Sequence, residues 1–152
     1  ASHSLTHPFL EKLDEETIYN ELYYDKKNIE EIFDSEVAGM AYPYGTYDDR
    51  VIKIARDLGI KYARTAGTSM NFSVDGDLMK YKGTCHFSNT EIFDLIDKFD
   101  ALPESEERQV LYIWGHTYEF DVLKKWGLLS EILERLKSVK AEFVTNRDAF
   151  GL

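Results

Sequence analysis

An α/β fold built on a parallel sheet or barrel with covering helices is what this sequence predicts, and three observations predict it. Helix-period and short apolar strand signals alternate along the chain instead of collecting in blocks. The stretches with chemical character fall just after strand signals, where functional groups of such folds gather. The 152 residues, 43% of them hydrophobic and 14% aromatic, suffice for one sizeable core and are too few for two comfortable domains, so residues 1–152 read as a single domain.

The elements follow in order. Asp14 is a suitable N-cap, and Ile18, Leu22, Ile29 and Phe33 recur at near-helical spacing, which predicts a helix over about 14–34. Val37 to Tyr42 is short, apolar and closed by Pro43-Tyr44-Gly45, as a buried strand ending in a turn would be. A helix from about Tyr47 to Leu58 carries Asp48 and Asp49 at its positive end and Gly59 as its stop. Ile60 to Thr65 reads as another strand, and 66–83, rich in Gly, Ser, Asn and Asp, as loop. Thr90 is expected to cap a helix with Ile92, Phe93, Leu95, Ile96 and Phe99 on one face, ended by the acidic run from Pro103 to Glu107. Val110 to Trp114 reads as a buried strand, Gly127 to Val139 as an amphipathic helix and Glu142 to Thr145 as a last strand.

Charge narrows the partners. Twenty-eight acidic against 18 basic residues give a formal charge of -10, and no Lys/Arg-rich stretch offers a footprint for a phosphate backbone, which argues against nucleic acid. No apolar run approaches the roughly 20 residues of a membrane span. A soluble protein is expected, with a leader or anchor upstream left open. Cys85 is the only cysteine, so no internal disulfide forms.

His3 and His7, in Ser2-His3-Ser4-Leu5-Thr6-His7-Pro8, are four residues apart. That spacing can bring two imidazoles to one side of a turn to share a zinc-like ion, although a catalytic site usually adds a third protein ligand. Pro8 biases His7 away from regular helix. Downstream stand Tyr42-Pro43-Tyr44-Gly45 with Tyr47-Asp48-Asp49 behind it, and then Trp114-Gly115-His116. Together, in this order and spacing, these segments resemble the polysaccharide deacetylases of carbohydrate esterase family 4.

The resemblance implies a distorted (β/α) barrel with fewer strands than a regular one, and metal-assisted removal of acetyl groups from an N-acetylated sugar or polysaccharide. It implies that His3 and His7 are metal ligands for a divalent ion such as Zn, Co, Mn or Ni. It further implies that the backbone N–H of Tyr44 faces the oxyanion and that His116 is the general acid. The chemistry is coherent: the ion polarises the acetyl carbonyl and activates water, a rigid turn amide shares the developing charge, and imidazolium protonates the departing amine.

Departures from the family pattern shape the remaining expectations. The family's first motif, an Asp-Asp pair supplying the general base and the carboxylate ligand, would lie upstream of Ser2, so the chain is expected to be an N-terminally truncated, incomplete barrel. Weak metal binding and self-association across an exposed sheet edge would follow. Asp48-Asp49 suits a helix start and not a replacement motif, whereas Glu119 and Asp121 lie near His116 in sequence and could approach the cleft. Ala41 stands where many members carry an arginine, and Arg64 is the candidate to orient the catalytic carboxylate in its place, its alternative being a rim arginine. Pro43, Tyr118 and His86 are candidate substrate contacts, with His86 equally suited to a structural hydrogen bond. Two functions therefore stand: a deacetylase, or an inactive deacetylase-like carbohydrate-binding or assembly module.

Overall fold

A computed structural model describes residues 1–152 as two compact units, one comprising 1–67, 75–82 and 146–152, the other 68–74 and 83–145. The elements are α1 (Glu15–Phe33), β1 (Gly39–Ala41), α2 (Asp49–Asp57), β2 (Tyr62–Thr68), β3 (Tyr81–Gly83), β4 (Cys85–His86), α3 (Ile92–Asp100), β5 (Ile113–Trp114), α4 (Thr117–Val122), α5 (Trp126–Lys137) and α6 (Asn146–Ala149). No helix is long and apolar enough to cross a membrane.

In the first unit Asp14 caps α1 by accepting the Thr17 N–H at 2.8 Å, and Asp34, at φ 46°, ends it. Asp48 does the same for α2, accepting the Val51 N–H at 2.9 Å. Both helices turn their apolar faces inward, so that Ile18, Leu22, Val51 and Ala55 join Met40 and Ala63 from the strands and Tyr42 just past β1 in one core. β1 pairs in parallel with β2, Ala41 opposite Arg64, and β3 lies on the other side of β2. Ser2 adds a parallel bridge to Met40 on the free side of β1. His3, Ala41 and Arg64 therefore lie at one level of the sheet.

The second unit has the smaller sheet. β4 and β5 pair in parallel, Cys85 opposite Ile113 and His86 opposite Trp114. Cys85, Phe87, Ile92, Leu95, Ile96, Phe120 and Ile132 form its core.

Several sequence expectations need correction. The 66–83 stretch is not all loop: β2 runs on to Thr68, and Tyr81–Gly83 is a strand with Tyr81 and Gly83 buried around an exposed Lys82, too short for alternation to stand out. Val110–Trp114 shrinks to Ile113–Trp114, because the Val110 N–H donates to the Phe72 carbonyl and the Tyr112 N–H to the Thr84 hydroxyl. Thr90 does not cap α3. Its N-cap is Glu91, whose own N–H is taken by the Asn89 side chain at 2.8 Å. Glu142–Thr145 forms no strand, and Phe143 and Val144 are both exposed, so the run has no buried face to specify one.

Two groups of candidate active-site residues

His3 and His7 meet. Their Nε2 atoms lie 3.1 Å apart, and the rings stand edge to face, 4.7 Å between centroids. His3 Nδ1 is 2.7 Å from the Ala41 carbonyl, which can only accept, so Nδ1 carries the proton and Nε2 of the neutral ring presents its lone pair. Burial lowers the His3 pKa; the Ala41 bond works against it, the charges of His7 and Arg64 lower it further, and Asp25 opposes them. A neutral ring with its far nitrogen anchored is the form that ligates a metal.

The loop bearing these histidines is tied to α1 by a pair of carboxylates. Asp25 accepts the Ser2 hydroxyl and, at 2.9 Å, the His3 N–H. One helical turn earlier Glu21 accepts the Thr6 N–H and hydroxyl at 2.8 and 2.7 Å. Four-residue spacing puts Glu21 and Asp25 on one face of α1. The tied loop is strained: Ser4 and His7 have φ of 62° and 59°, so His7 is not in the extended conformation that Pro8 favours, and the Ser4 hydroxyl holds it by accepting its N–H at 3.1 Å.

Tyr44 is also left-handed, with φ 57° and ψ 2°. It lies in a tight turn closed by the Gly45 N–H to the Tyr42 carbonyl and the Thr46 N–H to the Pro43 carbonyl, neither of which uses the Tyr44 N–H. Gly45 is required there, since a Cβ would sit 2.4 Å from Ala66 at a φ of +75°. The Tyr44 ring stacks on Phe9 at 3.9 Å and meets the His7 ring edge to face at 4.6 Å. Pro43 is buried in the same turn. Arg64 is Ala41's register partner and donates to the Thr65 carbonyl at 2.9 Å.

His116, His86 and Tyr118 belong to the second unit. His116 follows β5 through Gly115, where a Cβ would stand 2.3 Å from the Phe87 ring, and is the N-cap of α4. Glu119, at the third helical position, reaches back to the His116 N–H at 2.9 Å. The same oxygen lies 2.9 Å from His116 Nδ1 and 3.1 Å from His86 Nε2. Burial works to raise the Glu119 pKa, but the bonds from the His116 ring and amide and from His86 outweigh it and hold it below the usual carboxylate value. Tyr118 is exposed, its ring 5.3 Å from His116. Asp121 instead accepts the Trp126 indole N–H at 2.7 Å.

Two sets have metal-type chemistry. Within the first unit no third ligand side chain joins His3 and His7, while in the second the ligand atoms of His86, His116 and Glu119 lie within 4.8 Å of one another. The sequence missed Glu21, Asp25 and the bridging role of Glu119. An acidic pair at i, i+4 on α1, otherwise mutually repulsive, was the readable signal for the first two.

Comparison with known proteins bears on residues 1–63, which match the sequence model of the family described as polysaccharide deacetylase. No curated protein matches the chain. Among solved structures, the Streptococcus pyogenes deacetylase PplD in complex with acetate aligns at 25% identity and a TM-score of 0.50, over 53% of this chain and 35% of that one. BA3943, a CE4 family pseudoenzyme from Bacillus anthracis, aligns at 18% identity and a TM-score of 0.50, over 88% of this chain and 41% of that one. The chain thus spans about a third to two-fifths of the length of these proteins, and its mixed architecture with parallel strands is of their fold.

Proposed function

We propose, from the match of residues 1–63 to the polysaccharide deacetylase family model, that the chain contributes the metal-binding and proton-donating groups of a hydrolase that removes acetyl groups from an N-acetylated sugar or polysaccharide. The observation that carries this reading is the meeting of His3 and His7 at Nε2, with the Ala41 carbonyl fixing the His3 tautomer. A divalent ion held there, zinc by ligand type, would supply Lewis acidity toward the acetyl oxygen and toward water.

The remaining work falls to the chain's own groups. The Tyr44 N–H, left out of the bonds that close its turn, is assigned to the charge that develops on the acetyl oxygen. Arg64, level with Ala41 on the neighbouring strand, is assigned to orient a catalytic carboxylate. His116 is assigned to protonate the leaving amine, and Pro43 and Tyr118 to contact the sugar. Acetate, held by the Streptococcus pyogenes deacetylase, is what such a hydrolysis releases.

The test is acetate release from N-acetylglucosamine oligomers by the chain supplied with Zn²⁺ or Co²⁺. Release that is lost in His3→Ala and in His116→Ala supports the assignment; release indifferent to His3→Ala overturns it. A second reading, an inactive carbohydrate-binding module, is favoured by one observation: only two ligand side chains converge in the first unit. Oligomer binding without acetate release, at saturating metal, would select it.

A further inference from the structure

Glu119 does more than a helix cap requires. A cap needs one bond, to the His116 N–H, yet the same carboxylate oxygen also meets two imidazoles from positions 30 residues apart. The other contacts of those rings settle the direction of each bond. The Ser88 N–H points at His86 Nδ1 from 3.3 Å, with the Ser88 hydroxyl at 2.8 Å. An amide can only donate, so Nδ1 of His86 accepts and its Nε2 carries the proton, which it gives to Glu119. An ionised carboxylate is acceptor only, so His116 Nδ1 must donate to it as well. The nitrogen left to His116 is Nε2, on a ring that is half exposed.

We infer that Glu119 is a positioning residue for His116: it fixes the proton on Nδ1, is itself held by His86, and thereby makes Nε2 of His116 the nitrogen that hands a proton to the leaving amine. This rests on the assignment of His116 as general acid. The step balances simply: Nε2–H of the imidazolium passes its proton to the amine nitrogen as the C–N bond breaks, and the ring is left neutral with its remaining proton on Nδ1, facing Glu119. The backbone supports the arrangement, because the approach of Gly115 to Phe87, 2.3 Å from where a Cβ would be, leaves no room for a side chain that would swing His116 aside. Free neutral histidine favours the proton on Nε2, so an Nδ1–H ring at this position reports its partner directly.

The experiment is nitrogen NMR of the full 152-residue chain with labelled histidine, at a pH where the rings are neutral. The expected result is His116 as the Nδ1–H tautomer and His86 as the Nε2–H tautomer, with His116 reverting toward Nε2–H in Glu119→Ala. The first reading needs no variant, so it holds even where Glu119→Ala loosens α4. His116 found as Nε2–H in the unaltered chain, or unmoved by Glu119→Ala in a folded protein, overturns the inference. So does one equivalent of Zn²⁺ retained by His3→Ala but lost by Glu119→Ala, which would make the cluster a metal centre. Acetate release is read separately, and in an active chain Glu119→Ala is expected to lower kcat at least about tenfold with KM unchanged. An Nδ1–H His116 without acetate release leaves the tautomer-fixing contact with Glu119 standing and removes the deacetylase reading, and with it the proton-transfer role; acetate release with an Nε2–H His116 overturns the positioning by Glu119 and leaves the deacetylase reading standing.

Discussion

His3 Nδ1 donates to the Ala41 carbonyl at 2.7 Å, and through that one bond the strand that lies beside Ser2 decides which nitrogen of His3 is available. Ala41 is in register with Arg64, so the tautomer-fixing carbonyl and the cation that helps hold His3 neutral sit at one level of the sheet. A single layer of backbone thus sets both the geometry and the protonation of the histidine pair.

The first prediction concerns that pair. With two converging ligands the chain is expected to bind Co²⁺ weakly, and His3→Ala to abolish the binding. Asp25→Ala, which frees the His3 N–H without touching either imidazole, should weaken it by roughly tenfold, as supporting contacts of metal ligands do. Absorbance titration reads all three. Tight stoichiometric binding that survives His3→Ala would contradict the assignment.

Gly115→Ala should be destabilising out of proportion to one methyl group. The added carbon would stand 2.3 Å from the Phe87 ring, which packs on Phe120 in the core of the second unit. Overpacking of this kind costs about 1–3 kcal/mol, read as a lower urea midpoint at unchanged slope. An unchanged midpoint would mean that the strand end yields and His116 is not rigidly placed.

Sequence and structure part company in an instructive way at this point. α1 and α2 were legible because apolar spacing agrees with Asp14 as an N-cap and with carboxylates at the start of α2; the Asp14 cap is made as expected, and Asp48 stands one step outside α2 as its cap. His3, His7, Tyr44 and Arg64 were singled out by the family resemblance together with their place after strand signals, and all four lie in the first unit. What stayed hidden depends on partners distant in sequence. Cys85–His86 is a strand only because Ile113–Trp114 lies beside it, and no periodicity can show itself in two residues. Glu119 reads from the sequence as a carboxylate near His116 that could approach the cleft, and nothing local could reveal that His86 would arrive at the same oxygen. Glu142–Thr145 failed in the opposite sense: two apolar residues invited a strand that no neighbour completes.

Cys85 supplies a pH-dependent prediction. It is fully buried, and burial alone pushes its thiol up to about 11 from an ordinary 9.0. A folded-state pKa above the unfolded one means that the native protein holds the proton longer. The stabilisation is therefore complete below pH 9 and is lost as pH rises toward 11. Iodoacetamide should leave the folded chain unmodified at pH 8 and label it at the rate of an unfolded peptide in urea. Fast labelling of the native chain would show that the β4–β5 pair opens.

Asp48 provides the last test, because its neighbour Asp49 and the preceding turn invite confusion with a ligand pair. The carboxylate of Asp48 accepts the Val51 N–H at 2.9 Å and the Arg50 side chain at 3.0 Å. Arg50 in turn donates to the Leu13 and Glu11 carbonyls, at 3.0 and 2.9 Å, fastening α2 to the segment before α1. Asp48→Ala should therefore cost about 0.5–2 kcal/mol, the range for a lost N-cap, and leave Co²⁺ binding at His3 and His7 unchanged. Burial works to raise the Asp48 pKa, but the Val51 and Arg50 bonds prevail and lower it. A depressed folded-state pKa means that this stabilisation is present above the ordinary carboxyl value and disappears as pH falls through the folded one. The stability gap between wild type and Asp48→Ala should accordingly close in acid. A gap that persists there, or a loss of Co²⁺ binding in the variant at neutral pH, would show that Asp48 serves the histidine site and not the helix.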